Sequence, residues 1–327
     1  MARLLSSFLL ESASKGGEGG GRVRVQVAEK RVQLGNGEEI FYVERDGGDD
    51  PIILVHGNMS SSVHWDVVID ALDAKFKVYA IDLRGFGNSS YNQPITSIKD
   101  FADDLKLFVD ELGLRDFALV GWSLGGTVGQ QFCADHPGYC NRLFLFTSGS
   151  SRGYPYFAVG EDGLPDITKR LKTIEEIRED DKAKYVQTAY DTLNYDFLRQ
   201  MWDMVIYVNN KPDEARYEKY LEAMTKQRNL LECYQALNTF NISNVHNGLV
   251  EGTNQVKDID IPVLIAYGED DMVVTKNMTD ELIEDFGDRA EVVEWKGCGH
   301  SPQIDDLQQV IETMEDFFVG KKQGRVL

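Results

Sequence analysis

The amino-acid sequence predicts an α/β fold in which a mostly parallel central sheet is flanked by helices and interrupted by a helical cap insertion. Three observations support this. Short, wholly apolar runs recur at Ile52–Val55, Val78–Ile81, Phe117–Val120, Leu143–Phe146 and Val263–Ala266, the pattern of strands buried on both faces. Helical patterns fall between these runs, and strands alternating with helices imply a parallel sheet with right-handed crossovers. The alternation then lapses between about Ser151 and Asp258.

The elements follow in chain order. Residues 1–14 are short, mildly apolar and Ser-rich, with Arg3 and the acidic Glu11, whereas a secretory signal needs a longer apolar core and a small-residue cleavage site. Lys15–Gly21 is Gly-rich, so residues 1–21 are set apart as a flexible leader and linker. Residues 22–150 form the first part of the core. Arg31–Leu34 and Glu39–Val43 are joined by Gly35-Asn36-Gly37, a hairpin signal. Ile98, Phe101, Leu105, Phe108, Val109 and Leu112 recur at helical spacing, so one face of that helix packs on the sheet. Residues 151–258 are too many for a loop. They carry two apolar stripes, Leu198, Met201, Trp202 and Val205, then Tyr217, Tyr220, Leu221 and Met224. They are read as a helical cap over the C-terminal edge of the sheet, its stripes packing on the core in preference to touching substrate. Residues 259–327 complete the core, with strands at Val263–Ala266 and Glu291–Trp295 and a closing helix from Asp305 through Phe318.

Composition narrows the class. The chain has 327 residues, 42% of them apolar, enough for one large domain with an insertion. Its 54 Asp and Glu against 34 Lys and Arg leave a net charge of −20, which repels phosphates and anionic membrane surfaces. No nucleic-acid partner is expected. No run of about 20 apolar residues is present, so no membrane span is expected. The four cysteines show neither CxxC pairing nor metal-ligand spacing with the five histidines, so no metal is expected. They are read as reduced thiols, which favours a cytoplasmic protein. A mitochondrial or plastid location is the alternative if residues 1–21 are a transit peptide. Four glycosylation sequons, at Asn58, Asn88, Asn241 and Asn277, are read as chance matches without a secretory signal. The oligomeric state is left open.

The chemistry begins at Gly121-Trp122-Ser123-Leu124-Gly125, which follows a buried strand and precedes a helix over Thr127–Ala134. This is G-x-S-x-G in the context it requires. The chain must turn sharply there, which lifts Ser123 to the sheet edge, and the two glycines remove Cβ atoms where backbone crowds. The helix N-terminus points free N–H groups at any anion formed nearby. A serine hydroxyl needs a base. His300, in Gly297-Cys298-Gly299-His300-Ser301-Pro302 after a strand, sits where open α/β sheets bind ligands. His56 is read as shaping its loop, and His64, His136 and His246 as surface or packing residues. The imidazole needs a carboxylate, and Glu269, Asp270 and Asp271 all follow the strand Val263–Ala266. The tetrahedral oxyanion needs two N–H donors. These are expected from Leu124, after the nucleophile, and from Asn58, with Met59 as its neighbouring candidate. Trp122, Met59 and Met272 are assigned to substrate contact.

With these residues in place the sequence resembles the α/β-hydrolase superfamily over roughly residues 31–319. The matching pieces are HGN at His56–Asn58, DLRGFGNS at Asp82–Ser89, GWSLGG at Gly121–Gly126, GEDDMVV at Gly268–Val274 and GCGHSP at Gly297–Pro302. The resemblance implies an α/β-hydrolase fold with Ser…Asp…His chain order, and it favours Asp271 as the acid, with Asp270 as rival. It also implies a structural role for Asp82 and Arg84. A narrower resemblance, to the bacillus-type intracellular polyhydroxybutyrate depolymerases, rests on HGNMSSSVHW, DLRGFGNSSY and cap segments such as RGYPYF, KRLKTIEEI, TKQRNL and ALNTFNISNVHNGLVEGTN. It implies a carboxylic-ester hydrolase that cleaves polyhydroxybutyrate or 3-hydroxybutyrate oligomers through an acyl-enzyme and needs no cofactor. The same residues also serve small esters, lactones or C–C bonds. A non-enzymatic ligand receptor is the least favoured reading, because a pure binder need not keep all of Ser123, Asp271 and His300.

Overall fold

A computed structural model describes residues 9–11, 25–160 and 164–321. In chain order the strands are β1 (Leu9–Glu11), β2 (Gln26–Gln33), β3 (Glu39–Arg45), β4 (Asp50–Val55), β5 (Phe76–Ile81), β6 (Phe117–Trp122), β7 (Cys140–Phe146), β8 (Phe157–Val159), β9 (Pro165–Arg170), β10 (Val263–Gly268) and β11 (Ala290–Trp295). Among the described residues, nine of them form one sheet in the order β1-β2-β3-β5-β4-β6-β7-β10-β11. β1, β2, β3 and β5 pair antiparallel, and from β5 to β11 every pairing is parallel. This is the α/β-hydrolase fold expected from the sequence.

The helices are α1 (Asp66–Ala71), α2 (Ile98–Glu111), α3 (Leu124–Asp135), α4 (Ile174–Glu179), α5 (Asp181–Asp191), α6 (Tyr195–Val205), α7 (Glu214–Met224), α8 (Leu230–Thr239), α9 (Lys276–Phe286), α10 (Pro302–Asp305) and α11 (Leu307–Phe318). Side chains alternate across the sheet. Ile53, Val55, Leu119, Leu143 and Ile265 pack on one face with α2, α3 and α9. Ile52, Leu54, Val120, Phe144 and Leu264 pack on the other with α1 and α11. Trp202 of α6 and Tyr217, Tyr220, Leu221 and Met224 of α7 belong to that second core, so the insertion shares apolar packing with the sheet layer.

Three details differ from the sequence reading. The helix after Ser123 begins at Leu124 itself, with no intervening loop. The closing helix is broken. Asp306 is extended, at φ −147°, and its carboxylate caps α11 by accepting the Gln309 N–H. The insertion also contains an antiparallel hairpin, β8–β9. Its strands are short and mostly exposed, so no buried apolar run announced them. Of the segment read as a leader, Leu9–Glu11 pairs with β2, and the rest of residues 1–21 lies outside the described residues.

Candidate active site

Ser123 stands where β6 runs directly into α3. Its backbone is at φ 55° and ψ −115°, a conformation that strains any residue bearing a Cβ. Hydrogen bonds hold it there. Ser123 N–H donates to Phe146 O (3.1 Å), and Ser123 O accepts from the N–H groups of Gly126 (2.9 Å) and Gly149 (3.2 Å). Close approach does the rest. A Cβ on Gly121 would lie 2.2 Å from Gly125 O, and one on Gly125 would lie 2.3 Å from Val55 O. The two glycines therefore let the turn close on itself and against the end of neighbouring β4.

The loops after β10 and β11 bring a carboxylate to an imidazole. His300 Nδ1 lies 2.9 Å from Asp271 Oδ2, and both side chains are buried. Asp271 Oδ1 accepts the backbone N–H groups of Val273 (2.8 Å) and Val274 (2.9 Å), so both carboxylate oxygens are engaged and their orientation is fixed. The rival Asp270 faces elsewhere and accepts from Asn209 Nδ2 at 3.0 Å. Glu269 pairs with Lys296 Nζ at 3.2 Å. The His300 carbonyl accepts the Trp122 indole N–H (2.8 Å) and the Thr147 hydroxyl (3.3 Å). Trp122, expected at the substrate, thus also braces the His300 loop.

The loop after β4 carries the expected oxyanion donors. His56 is buried, with Nδ1 2.7 Å from Gly57 O and Nε2 accepting the Leu83 N–H at 3.0 Å. Burial pushes its pKa down, so the ring is neutral and ties this loop to the one after β5. Asp82 also ties the two loops, accepting the N–H groups of Ser62 (2.7 Å) and Asn88 (2.8 Å). Arg84 is held by both oxygens of Asp104, at 2.6 and 2.5 Å. Met59, at φ 58°, donates its N–H to Gln227 Oε1 (3.1 Å), and Gln227 Nε2 donates to Asn58 Oδ1 (2.8 Å).

Gln227 is buried and comes from the insertion, and sequence reasoning gave it no role. Tyr154 was missed as well. Its hydroxyl donates to Val273 O at 3.1 Å, bracing the Asp271 loop. Burial, with the Asp271 carboxylate nearby, pushes its pKa up to about 12, so it stays a donor. Both fall in insertion segments quoted above, TKQRNL and RGYPYF, but each acts through contacts far away in the chain, so no local spacing marked its role. The remaining histidines are elsewhere. His64 stacks on Tyr220 with ring centroids 4.3 Å apart, and burial pushes its pKa down to about 3. His136 packs on Phe132, and His246 accepts the Gly248 N–H.

Ser123, His300, Asn58, Met59, Trp122 and Met272 line one cavity of about 630 Å³, the size of a small-molecule site. Leu124 is buried at the start of α3, where the first N–H groups have no intrahelical acceptor. Met272 is largely exposed at the cavity mouth. The insertion supplies much of the remaining wall, including Tyr156, Phe157, Trp202, Ile206 and Tyr234. Among the described residues, no three His, Cys, Asp or Glu side chains are grouped to hold a metal ion. No helix there is long and apolar enough to cross a membrane. All four cysteines are buried and free.

A family model described as alpha/beta hydrolase fold matches residues 50–307. The chain belongs to the α/β-hydrolase family. Among known proteins it is 28% identical over 313 residues to a proline iminopeptidase of Lactobacillus delbrueckii subsp. lactis, covering 91% of this chain and 100% of that one. It is 24% identical to a 2-hydroxy-6-oxononadienedioate/2-hydroxy-6-oxononatrienedioate hydrolase of a Pseudomonas species, covering 88% and 95%. It is 25% identical to Lipase 3 of Moraxella sp., covering 90% and 85%. An esterase from Exiguobacterium antarcticum superposes with a TM-score of 0.68 at 15% identity, covering 89% of this chain and 99% of that one. The protein is thus a hydrolase of the α/β family, with esterase-, lipase- and peptidase-like relatives.

Proposed function

We propose that this hydrolase cleaves carboxylic esters with Ser123 as nucleophile, His300 as general base and Asp271 as the acid that orients it. One observation carries the reading. The strained Ser123 and His300 line the same cavity, and the buried Asp271 carboxylate lies behind His300, 2.9 Å from its Nδ1. His300 takes the Ser123 Oγ proton as that oxygen attacks the ester carbonyl. The Asp271 carboxylate stabilises the imidazolium that forms. The N–H groups of Leu124 and Asn58 receive the oxyanion. Met59 is the weaker candidate, because its N–H is already given to Gln227 Oε1. His300 then protonates the departing alkoxide, the ester C–O bond breaks, and water hydrolyses the acyl-enzyme with His300 again as base.

For substrate we propose polyhydroxybutyrate or 3-hydroxybutyrate oligomers. Support comes from the resemblance of the insertion segments to intracellular polyhydroxybutyrate depolymerases. It also comes from an apolar, aromatic cavity suited to a flexible chain of short hydroxyacid units. Release of 3-hydroxybutyrate from amorphous polymer granules tests this. Turnover of p-nitrophenyl esters or lactones with no release from granules or oligomers would restrict the enzyme to small molecules.

A further inference from the structure

The His300 loop is held by a carboxylate that has no part in the chemistry above. Asp305, at the end of α10, accepts the Gly299 N–H on Oδ2 at 2.7 Å and the Asn210 N–H on Oδ1 at 2.9 Å. Its backbone carbonyl accepts Asn210 Nδ2 at 3.0 Å. Gly299 immediately precedes His300, and Asn210 lies in the insertion just beyond α6. The neighbouring Asn209 reaches the loop of the acid, donating to Asp270 Oδ2 at 3.0 Å. The contact at Gly299 is close, and a Cβ there would lie 2.6 Å from Val208 Cγ2. Residues 208–210 therefore sit clasped on both loops that carry the His300–Asp271 pair.

Asp305 is an uneasy residue for this place. Burial and the neighbouring Asp270 and Asp271 carboxylates push its pKa up, against the pull of its two backbone donors. A carboxylate is nonetheless the side chain that fits, because each oxygen must accept an N–H and an amide offers only one acceptor oxygen. The segment it secures follows directly from α6, which gives Trp202 to the cavity wall, and Ile206 is also in that wall.

We propose that Asp305 is a positioning residue that fixes the His300 loop and registers it to the insertion, so that the substrate wall and the base share one alignment. This rests on the reading of His300 as base. Misplacement of a reacting group by about 1 Å can cost about 100-fold in rate. Asp305→Ala is therefore expected to lower kcat by roughly 10- to 100-fold with KM changed less than about threefold. Asp305→Asn, keeping one acceptor, is expected to fall between.

A second pair of variants tests the clasp without removing the carboxylate. Gly299→Ala pushes against Val208 and is expected to lose kcat, and adding Val208→Ala is expected to restore most of it. The assay is steady-state ester hydrolysis by the full chain, with thermal unfolding run in parallel. If Asp305→Ala does not fold, the Gly299–Val208 pair decides. Asp305→Ala with wild-type kcat, or a double variant no better than Gly299→Ala, overturns the proposal, provided His300→Ala is inactive. A His300→Ala variant that keeps wild-type activity overturns instead the assignment of the base, and this inference with it.

Discussion

Gly121→Ala is the sharpest perturbation of the nucleophile turn. The new Cβ would lie 2.2 Å from Gly125 O, 2.4 Å from Gly125 C and 2.6 Å from Gly126 Cα. All three are backbone atoms, so no rotamer change relieves the contact. Ordinary van der Waals contact begins at 3.4 Å, so the turn must open by roughly 1 Å, a displacement that costs about 100-fold in rate at a reacting centre. That loss corresponds to about 2.7 kcal/mol of transition-state stabilisation. Overpacking adds about 1–3 kcal/mol of lost stability. The assay is kcat and KM on p-nitrophenyl butyrate, with urea unfolding to establish that the variant is folded under assay conditions. A folded Gly121→Ala enzyme with kcat within about threefold of wild type would refute the claim that this geometry arms Ser123.

Other outcomes follow from the same contacts. Asp271→Asn is expected to lower kcat by about 10³- to 10⁴-fold, because the amide no longer supplies a charge for the imidazolium. Asp270→Asn should change kcat by less than about threefold, and the reverse ranking in an ester assay would exchange their roles. His64 is buried with its pKa pushed down to about 3, so the unfolded chain binds a proton below about pH 6.5 that the folded chain refuses. Stability therefore falls as pH drops below about 6.5, by roughly 1.4 kcal/mol per pH unit for each such group. The buried His56 acts in the same direction. Urea unfolding at pH 7, 6 and 5 should show a shallower fall in His64→Phe than in wild type, and equal slopes would contradict the assignment. Trp122→Phe leaves the His300 carbonyl without its indole donor at 2.8 Å. The Thr147 hydroxyl still donates to that carbonyl at 3.3 Å, so a loss of up to about tenfold in kcat is expected, in line with about 0.5–1.5 kcal/mol for one hydrogen bond, and an unchanged kcat would show that the bond does not brace the base.

The parts legible in the sequence are those that depend on local pattern. β4, β6, β7 and β10 are wholly apolar at their centres because the parallel sheet buries them on both faces. The turn at Ser123 is legible because Gly121 and Gly125 have nowhere to put a Cβ. What escaped depends on contacts distant in the chain. Gln227 meets Asn58 across 169 positions, and Tyr154 meets Val273 across 119, with no local spacing to betray either. The β8–β9 hairpin escaped for the opposite reason, since its exposed, polar second strand, PDITKR, has no buried face to give it a period. Asp270 and Asp271 are adjacent, so composition alone could not separate them. The separation comes from the loop, which turns Asp271 inward to His300 and Asp270 outward to Asn209.

The central claim is that Ser123 is a nucleophile activated by His300, and a fluorophosphonate probe tests it most directly. Peptide mass mapping of the labelled protein should find the phosphonyl group on Ser123. Ser123→Ala should take no label and lose ester hydrolysis, and His300→Ala should label at least about 10³-fold more slowly. Ester hydrolysis retained by Ser123→Ala, or a phosphonyl group found on another residue with Ser123 unmodified, would contradict the account.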